Sequence, residues 1–145
     1  MQRTLYPHSL TDTIGHMYRM IHKYTPEASG FGWQTLFDVY DGVRAVRYVR
    51  DEEAPECAGA AECLKRPTIT RVLGGDCDDK VILAGAALNA LGIPFRIVTA
   101  GYHGPDMEHT YLEVHTSGQW LPFDATYPHQ QIFQEQPYTV KQVWP

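Results

Sequence analysis

The chain has 145 residues, 43% hydrophobic and 20% charged, enough for one buried core and too few to need a second domain, so a single domain over residues 1–145 is expected. Its formal charge of −5 lacks the excess of Lys and Arg that a phosphate backbone attracts, which excludes a general nucleic-acid binder. MQRTLYPHSL has no apolar stretch behind a basic start, and no apolar run nears the roughly 20 residues that span a bilayer, so a soluble, cytoplasmic protein without a membrane partner is expected.

Leu10, Ile14, Met17, Ile21 and Tyr24 recur at helical spacing, with Ser9 or Thr11 as a cap, and predict a first helix over 10–24. In GFGWQTLFDVYDGVRAVRYVRDEE, Leu36, Phe37, Tyr40 and Val43 share one helical face, and the pattern then dissolves into polar residues. A charged loop follows, and LKRPTITRVLGGD reads as an extended approach. The third helix, over 77–91, is marked by the stripe Leu83, Ala84, Ala87, Leu88 and Leu91 and by the stop Gly92-Ile93-Pro94; its alanines predict close packing against another layer. Beyond Pro94 the period becomes two: FRIVTAGY, HTYLEVH and QWLPFDAT are strand-like, the last two joined by a Ser117-Gly118 turn. Helices followed by strands give an α+β fold with a mostly antiparallel sheet. The glutamine-rich tail from Gln130 ends in aromatics suited to packing on the sheet or to touching a partner.

Cys57, Cys63 and Cys77 are an odd count without a secretory signal, which predicts reduced thiols rather than disulfides. Of the three, Cys77 stands where the third helix begins. A helix N-terminus favours the thiolate, and Gly74 and Gly75 permit a tight turn whose backbone N–H groups can meet an oxyanion. Asp76, Asp78 and Asp79 work against that thiolate, because nearby negative charge raises a thiol pKa. A cation must offset them. These acids also have a structural reading as first-turn partners of the helix dipole.

Thiol chemistry needs a base that supplies positive charge and a third group that orients it. In HTYLEVH, His109, Tyr111, Glu113 and His115 share one face; in QWLPFDAT, Trp120, Pro122 and Asp124 fall together. Keeping Leu112 and Val114 on the face of Leu121 and Phe123 allows two registers. One sets His109 directly opposite Asp124, and the two-residue turn makes them diagonal neighbours. Both bring imidazole to carboxylate. His103 and His115 read as loop or surface residues. A metal site from Cys77, a histidine and the aspartates lacks the usual ligand spacings, so neither metal nor cofactor is expected.

GGDCDDKVILAGAALNALGIPFRIV, EHTYLEV and GQWLPFDATYP together resemble the transglutaminase-like superfamily, whose members share the papain-type fold. Its pattern is a Gly-Asp-Cys-acid-Asp stretch opening a helix that ends in Leu-Gly-Ile-Pro, then a His heading a strand that contains Glu, then Trp and an Asp before Thr. These blocks cover about residues 70–128, and VRYVRD at 46–51 is similar to the extended stretch before the family's cysteine. Ala125 stands where the family commonly has proline. The resemblance implies Cys77 as nucleophile, His109 as general base and acid, and Asp124 as the residue orienting it. Trp120 and Glu113 would be structural. Gln34 or Trp33 are candidates for an upstream oxyanion side chain, and Asp76 is a candidate for contacting substrate. The implied chemistry is acyl transfer from a peptide or glutamine-type amide through a thioester. Hydrolysis is expected over crosslinking, since crosslinking members are larger and often calcium-activated. The competing expectation is an inactive scaffold of the same fold. Short domains of this kind resemble those of bacteria and their phages.

Overall fold

The computed structural model describes residues 9–53 and 63–145. Residues 54–62 of the charged loop, Cys57 among them, lie outside the described residues. Four helices, α1 (Leu10–Ala28), α2 (Leu36–Ala45), α3 (Pro67–Leu73) and α4 (Cys77–Ala90), precede three strands, β1 (Phe95–Gly101), β2 (His109–Thr116) and β3 (Gln119–Phe123), and a fourth strand, β4 (Val140–Trp144), closes the chain. The α+β class and the antiparallel sheet are as expected. α3 and β4 correct the sequence reading, which has an extended approach at the first and an unassigned tail at the second.

α4 is the central element. Residues 77–88 are all buried, so its hydrophobic character goes around the whole helix rather than along one stripe. Gly85 permits this: a Cβ there would meet Ile21 Cδ1 at 2.6 Å, so α1 packs against α4 at a distance only glycine allows. Ile14, Met17 and Ile21 of α1 and Val39, Tyr40 and Val43 of α2 complete the helical side of the core. α1 begins where Ser9 accepts a hydrogen bond from Asp12 N, and α2 where Thr35 and Asp38 form a reciprocal capping box.

The sheet order is β3-β2-β1-β4, and every neighbouring pair is antiparallel. Ile97, Leu112, Val114 and Phe123 belong to the core shared with the helices. Val98, Ala100 and Tyr111 form a separate apolar cluster. Glu113 on β2 binds Arg96 of β1 at 2.7 Å and Lys141 of β4 at 2.8 Å. The Arg96 guanidinium lies 4.2 Å from the Trp120 ring, so Glu113 and Trp120 take part in contacts that tie the strands together. β4 is fixed on the sheet by Trp144, whose indole N–H donates to Thr99 Oγ1 at 2.9 Å and whose carbonyl accepts from the Tyr18 hydroxyl. Of the two roles open to the tail, its last residues take packing on the sheet.

Among the described residues no helix is long and apolar enough to cross a membrane. Cys63 is disulfide-bonded, and Cys77 is a buried cysteine outside any disulfide. This overturns the expectation of reduced thiols throughout.

Candidate active site

The approach to α4 is pinned before the helix starts. Gly74 has φ 87°, a left-handed conformation that favours glycine, and a Cβ there would stand 2.7 Å from Arg47 O. That close passage lets the extended segment at 47–49 pair with the approach: Gly75 N donates to Arg47 O at 3.0 Å, and Val49 N to Gly75 O at 2.9 Å. Asp76 is the N-cap. Its side chain accepts from Asp79 N at 3.2 Å, while Asp79 Oδ2 accepts from Asp76 N at 3.2 Å. The capping geometry thus accounts for Asp76 as a helix-start residue. Asp79 is held in turn by Lys65, whose backbone N–H donates at 2.9 Å and whose ammonium stands 3.4 Å away.

Cys77, the first residue of α4, is fully buried, with Leu10 and Met107 packed against it. Its thiol donates to Asp78 Oδ1 at 3.5 Å. Burial pushes the thiol pKa well above its ordinary value, the Asp78 and Asp76 carboxylates push it further, and a hydrogen bond from Thr110 N–H opposes them. The dipole of α4 therefore does not deliver a resting thiolate; the sulfur is held as S–H. The hydrogen bond to Thr110 places it against the residue that follows His109.

The hairpin adopts the register with Leu112 opposite Phe123 and Val114 opposite Leu121, through a turn in which Ser117 and Gly118 both have positive φ. His109 and Asp124 are therefore diagonal neighbours, and His109 Nε2 lies 2.7 Å from Asp124 Oδ2. Both residues are buried. Asp124 receives more than the imidazole: Gln130 Nε2 donates to Oδ2 at 2.9 Å, while Thr126 N donates to Oδ1 at 3.2 Å and Thr126 Oγ1 at 2.5 Å. Burial pushes this carboxyl up, but His109 and the donors from Thr126 and Gln130 outweigh burial and hold it below the usual carboxylate range. Each carboxylate oxygen thus serves two donors, which leaves the imidazole little freedom to turn.

Aromatic rings enclose the imidazole. Tyr111 lies 5.5 Å from it, and Tyr102 and Tyr127 lie 6.3 Å away; the Tyr48 ring lies tilted against Tyr127 at 5.0 Å. A cavity of about 170 Å³ opens beside the pair, lined by Tyr102, His103, Glu108, Tyr127, Gln130 and Gln136 with His109 and Asp124. The loop between β1 and β2 thus borders the site. His103 is exposed and paired with Glu108 at 2.9 Å, and the exposed His115 packs on Trp120, so both stand as the surface residues expected.

The upstream oxyanion candidates lie elsewhere in their contacts. Trp33 packs edge-on against Phe31, under the Arg71 guanidinium and over Gly42. Gln34 is exposed and gives its backbone N–H to Asp38. Thr126 and Gln130 are the site residues the sequence reading missed. The signal for Thr126 was its position two residues beyond Asp124, where Asx and Ser/Thr turns close. Gln130 had none.

Among the described residues, Asp51, Asp76 and Asp79 form the group of metal-ligating type whose oxygens all lie within 4.8 Å of one another. Lys65 and the backbone N–H groups of Asp76 and Lys65 serve Asp79 there, and we assign no metal to it. Cys77, His103 and His109 do not belong to that group.

The transglutaminase-like superfamily matches residues 18–125, most of the chain and all of the Cys77-to-Asp124 segment. The chain belongs to this superfamily. Among solved structures it is similar to a candidate cysteine protease from Cytophaga hutchinsonii, at 20% identity and a TM-score of 0.52. That match covers 99% of this chain and 59% of the other, so the chain spans little more than half of that protein. It is also similar to an arylamine N-acetyltransferase from Mycobacterium abscessus, at 18% identity and a TM-score of 0.46, covering 83% of this chain and 47% of that one. No curated protein matches. At such identities the first likeness concerns the fold, and the superfamily match joins it in placing the chain in the papain-like, transglutaminase-like architecture.

Proposed function

We propose that this transglutaminase-like domain is a thiol-dependent acyl-transfer enzyme acting on peptide or glutamine-type amides. The observation that carries the reading is the buried His109–Asp124 pair at 2.7 Å, with Cys77 held against Thr110 at the start of α4. His109 spends Nε2 on Asp124, so Nδ1 is the nitrogen that receives the thiol proton. Because the resting sulfur is S–H, His109 acts as a general base during attack rather than as a partner in a standing ion pair. The Cys77 Sγ–C bond forms, the tetrahedral oxyanion meets the N–H of the first turn of α4, and the C–N bond breaks as the imidazolium protonates the departing amine. Water then cleaves the thioester, giving the acid and restoring the thiol. Hydrolysis or deamidation is favoured over crosslinking by the likeness to a candidate cysteine protease.

The seal over Cys77 supports a second reading, an inactive scaffold that keeps the fold. The two are separated by incubating the protein with a glutamine-containing peptide, with and without a primary amine, and following ammonia release together with the mass of the Cys77 peptide. The enzyme reading expects a thioester adduct that vanishes in Cys77→Ala, and faster alkylation of Cys77, by about severalfold, once Met107→Ala thins its cover. No adduct across a broad panel of amides, with Cys77 inert to iodoacetamide in both proteins, would leave the scaffold.

A further inference from the structure

The segment that carries Asp124, Thr126 and Gln130 leaves the sheet at Phe123 and has no strand partner to hold it. It is held from the helices instead, through its carbonyls. Tyr40 Oη donates to Asp124 O at 3.0 Å, Arg44 to Gln130 O at 3.0 Å, and Lys80 Nζ to Thr126 O at 2.7 Å. Lys80 differs from the other two. It stands one turn beyond Cys77 on the same helix, it is 2% exposed, and its ammonium also donates to Val46 O at 2.6 Å, at the start of the extended stretch that pairs with Gly75. A single buried cation therefore links the helix that carries the nucleophile, the segment that shapes its approach, and the turn that fixes the carboxylate.

We propose that Lys80 is a positioning residue of the acyl-transfer site, its charged ammonium holding the Asp124 turn in register with Cys77. This rests on the reading of Cys77, His109 and Asp124 as the reacting set. A buried lysine has an inexpensive alternative in packing alone, since methionine or leucine would fill its volume. What packing does not need is a cation between two main-chain carbonyls and beside a carboxylate, with the desolvation that entails. The groups facing it are Asp124 at the end of β3, Tyr111 from β2, which lines the same small space, and Tyr40 and Arg44 of α2 on the same turn. Burial lowers the Lys80 pKa to about 8, with Asp124 opposing. The clamp thus loses its charge at mildly alkaline pH, where an amine still donates but no longer does so as an ion.

The test compares wild type, Lys80→Met and Lys80→Arg by acylation kinetics on an activated ester, and by the downfield proton NMR signal of the His109 imidazole N–H bonded to Asp124, from pH 6 to 9.5. Lys80→Met is expected to lower kcat by about 10- to 100-fold with KM kept within about twofold, and to broaden the imidazole signal in a protein that remains folded. In wild type, rate and signal decline together with a midpoint near pH 8. Arginine keeps its charge throughout, so Lys80→Arg retains the signal and carries the decline to higher pH. A folded Lys80→Met with wild-type kcat and signal overturns the proposal, as does a Lys80→Arg decline coincident with that of wild type. Should Lys80→Met fail to fold, the arginine comparison decides. Wild type that never acylates Cys77 removes the enzyme reading, while the imidazole signal still judges Lys80.

Discussion

Asp124 and Asp76 are buried carboxylates at opposite ends of the same site, one where β3 stops and one where α4 starts. Asp124 is held below the usual carboxylate range because His109, Thr126 and Gln130 more than offset its burial. Asp76 is pushed up to about 10, by burial first and then by Asp78, Asp79 and Asp51, against one hydrogen bond from Asp79 N–H. Burial is common to both, so the company each keeps decides the outcome. Donors converge on the carboxylate that must stay ionised to orient a base. Acids crowd the one that only has to start a helix, and burial, with Asp78 and Asp76, pushes the thiol of Cys77 up as well.

The largest effect should come from denying Asp124 its charge. In Asp124→Asn the amide N–H₂ must face either the Gln130 and His109 donors or the two donors of Thr126, so one pair loses its acceptor whichever way the side chain turns. With the N–H₂ toward His109, the imidazole is released to the wrong tautomer. A fall in kcat of about 10³- to 10⁴-fold is expected on an activated ester, with KM little changed; a loss below tenfold would show that Asp124 does not orient the base.

Removing the donors while keeping the carboxylate should do less. Thr126→Val and Gln130→Leu each delete one charge-assisted hydrogen bond, and each should lower kcat by roughly tenfold, the range for a bond to a charged group. The sign with pH follows from the depressed Asp124 pKa. Its ionised form contributes stability above the ordinary carboxylate pKa of about 4, and that contribution is lost as pH falls through the folded value. Fewer donors raise the folded value, so the acid limb of both rate and melting temperature should move to higher pH in the double variant. Unmoved acid limbs would mean that burial and His109 alone set the carboxylate.

How much of this was readable in the sequence differs between the two ends of the site. α4 and the hairpin were legible because period, stop signal and turn chemistry agree: Ser117-Gly118 supplies the two positive φ values that fix the register, and the register brings His109 to Asp124. α3 was not, although Pro67 at its first position and Gly74 just past its end are ordinary helix punctuation; the β-branched Thr68, Ile69 and Thr70 between them favour an extended reading. β4 was missed because its pairing is with β1, far away in the chain, and no local period marks it. Gln130 reaches the Asp124 turn from outside the motif and Lys80 from within it, and their residue types carry no sign of what they touch. The contacts of Trp33 and Gln34 were unreadable for a related reason. Position just ahead of α2 says nothing about which way the side chains turn.

The smallest expected effect tests the other carboxylate. A group whose folded pKa is raised contributes stability that is fully present below its unfolded value, near 4, and is lost as pH rises toward the folded one, here about 10. Wild type should therefore lose stability across the neutral and alkaline range on account of Asp76. Asp76→Asn keeps an oxygen to accept from Asp79 N–H, and asparagine is as good an N-cap as aspartate, so α4 should start where it does now. What it removes is the forced choice between an ion crowded by Asp78, Asp79 and Asp51 and a proton held against the solvent. The drop in melting temperature between pH 6 and pH 9 should be smaller in Asp76→Asn than in wild type by at least about 3 °C, the shift that ~1 kcal/mol gives in a domain of this size, against an upper bound of ~4 kcal/mol by linkage. An equal or steeper drop would mean that Asp76 stays ionised in the fold, served by donors as Asp124 is, and the contrast between the two ends of the site would collapse.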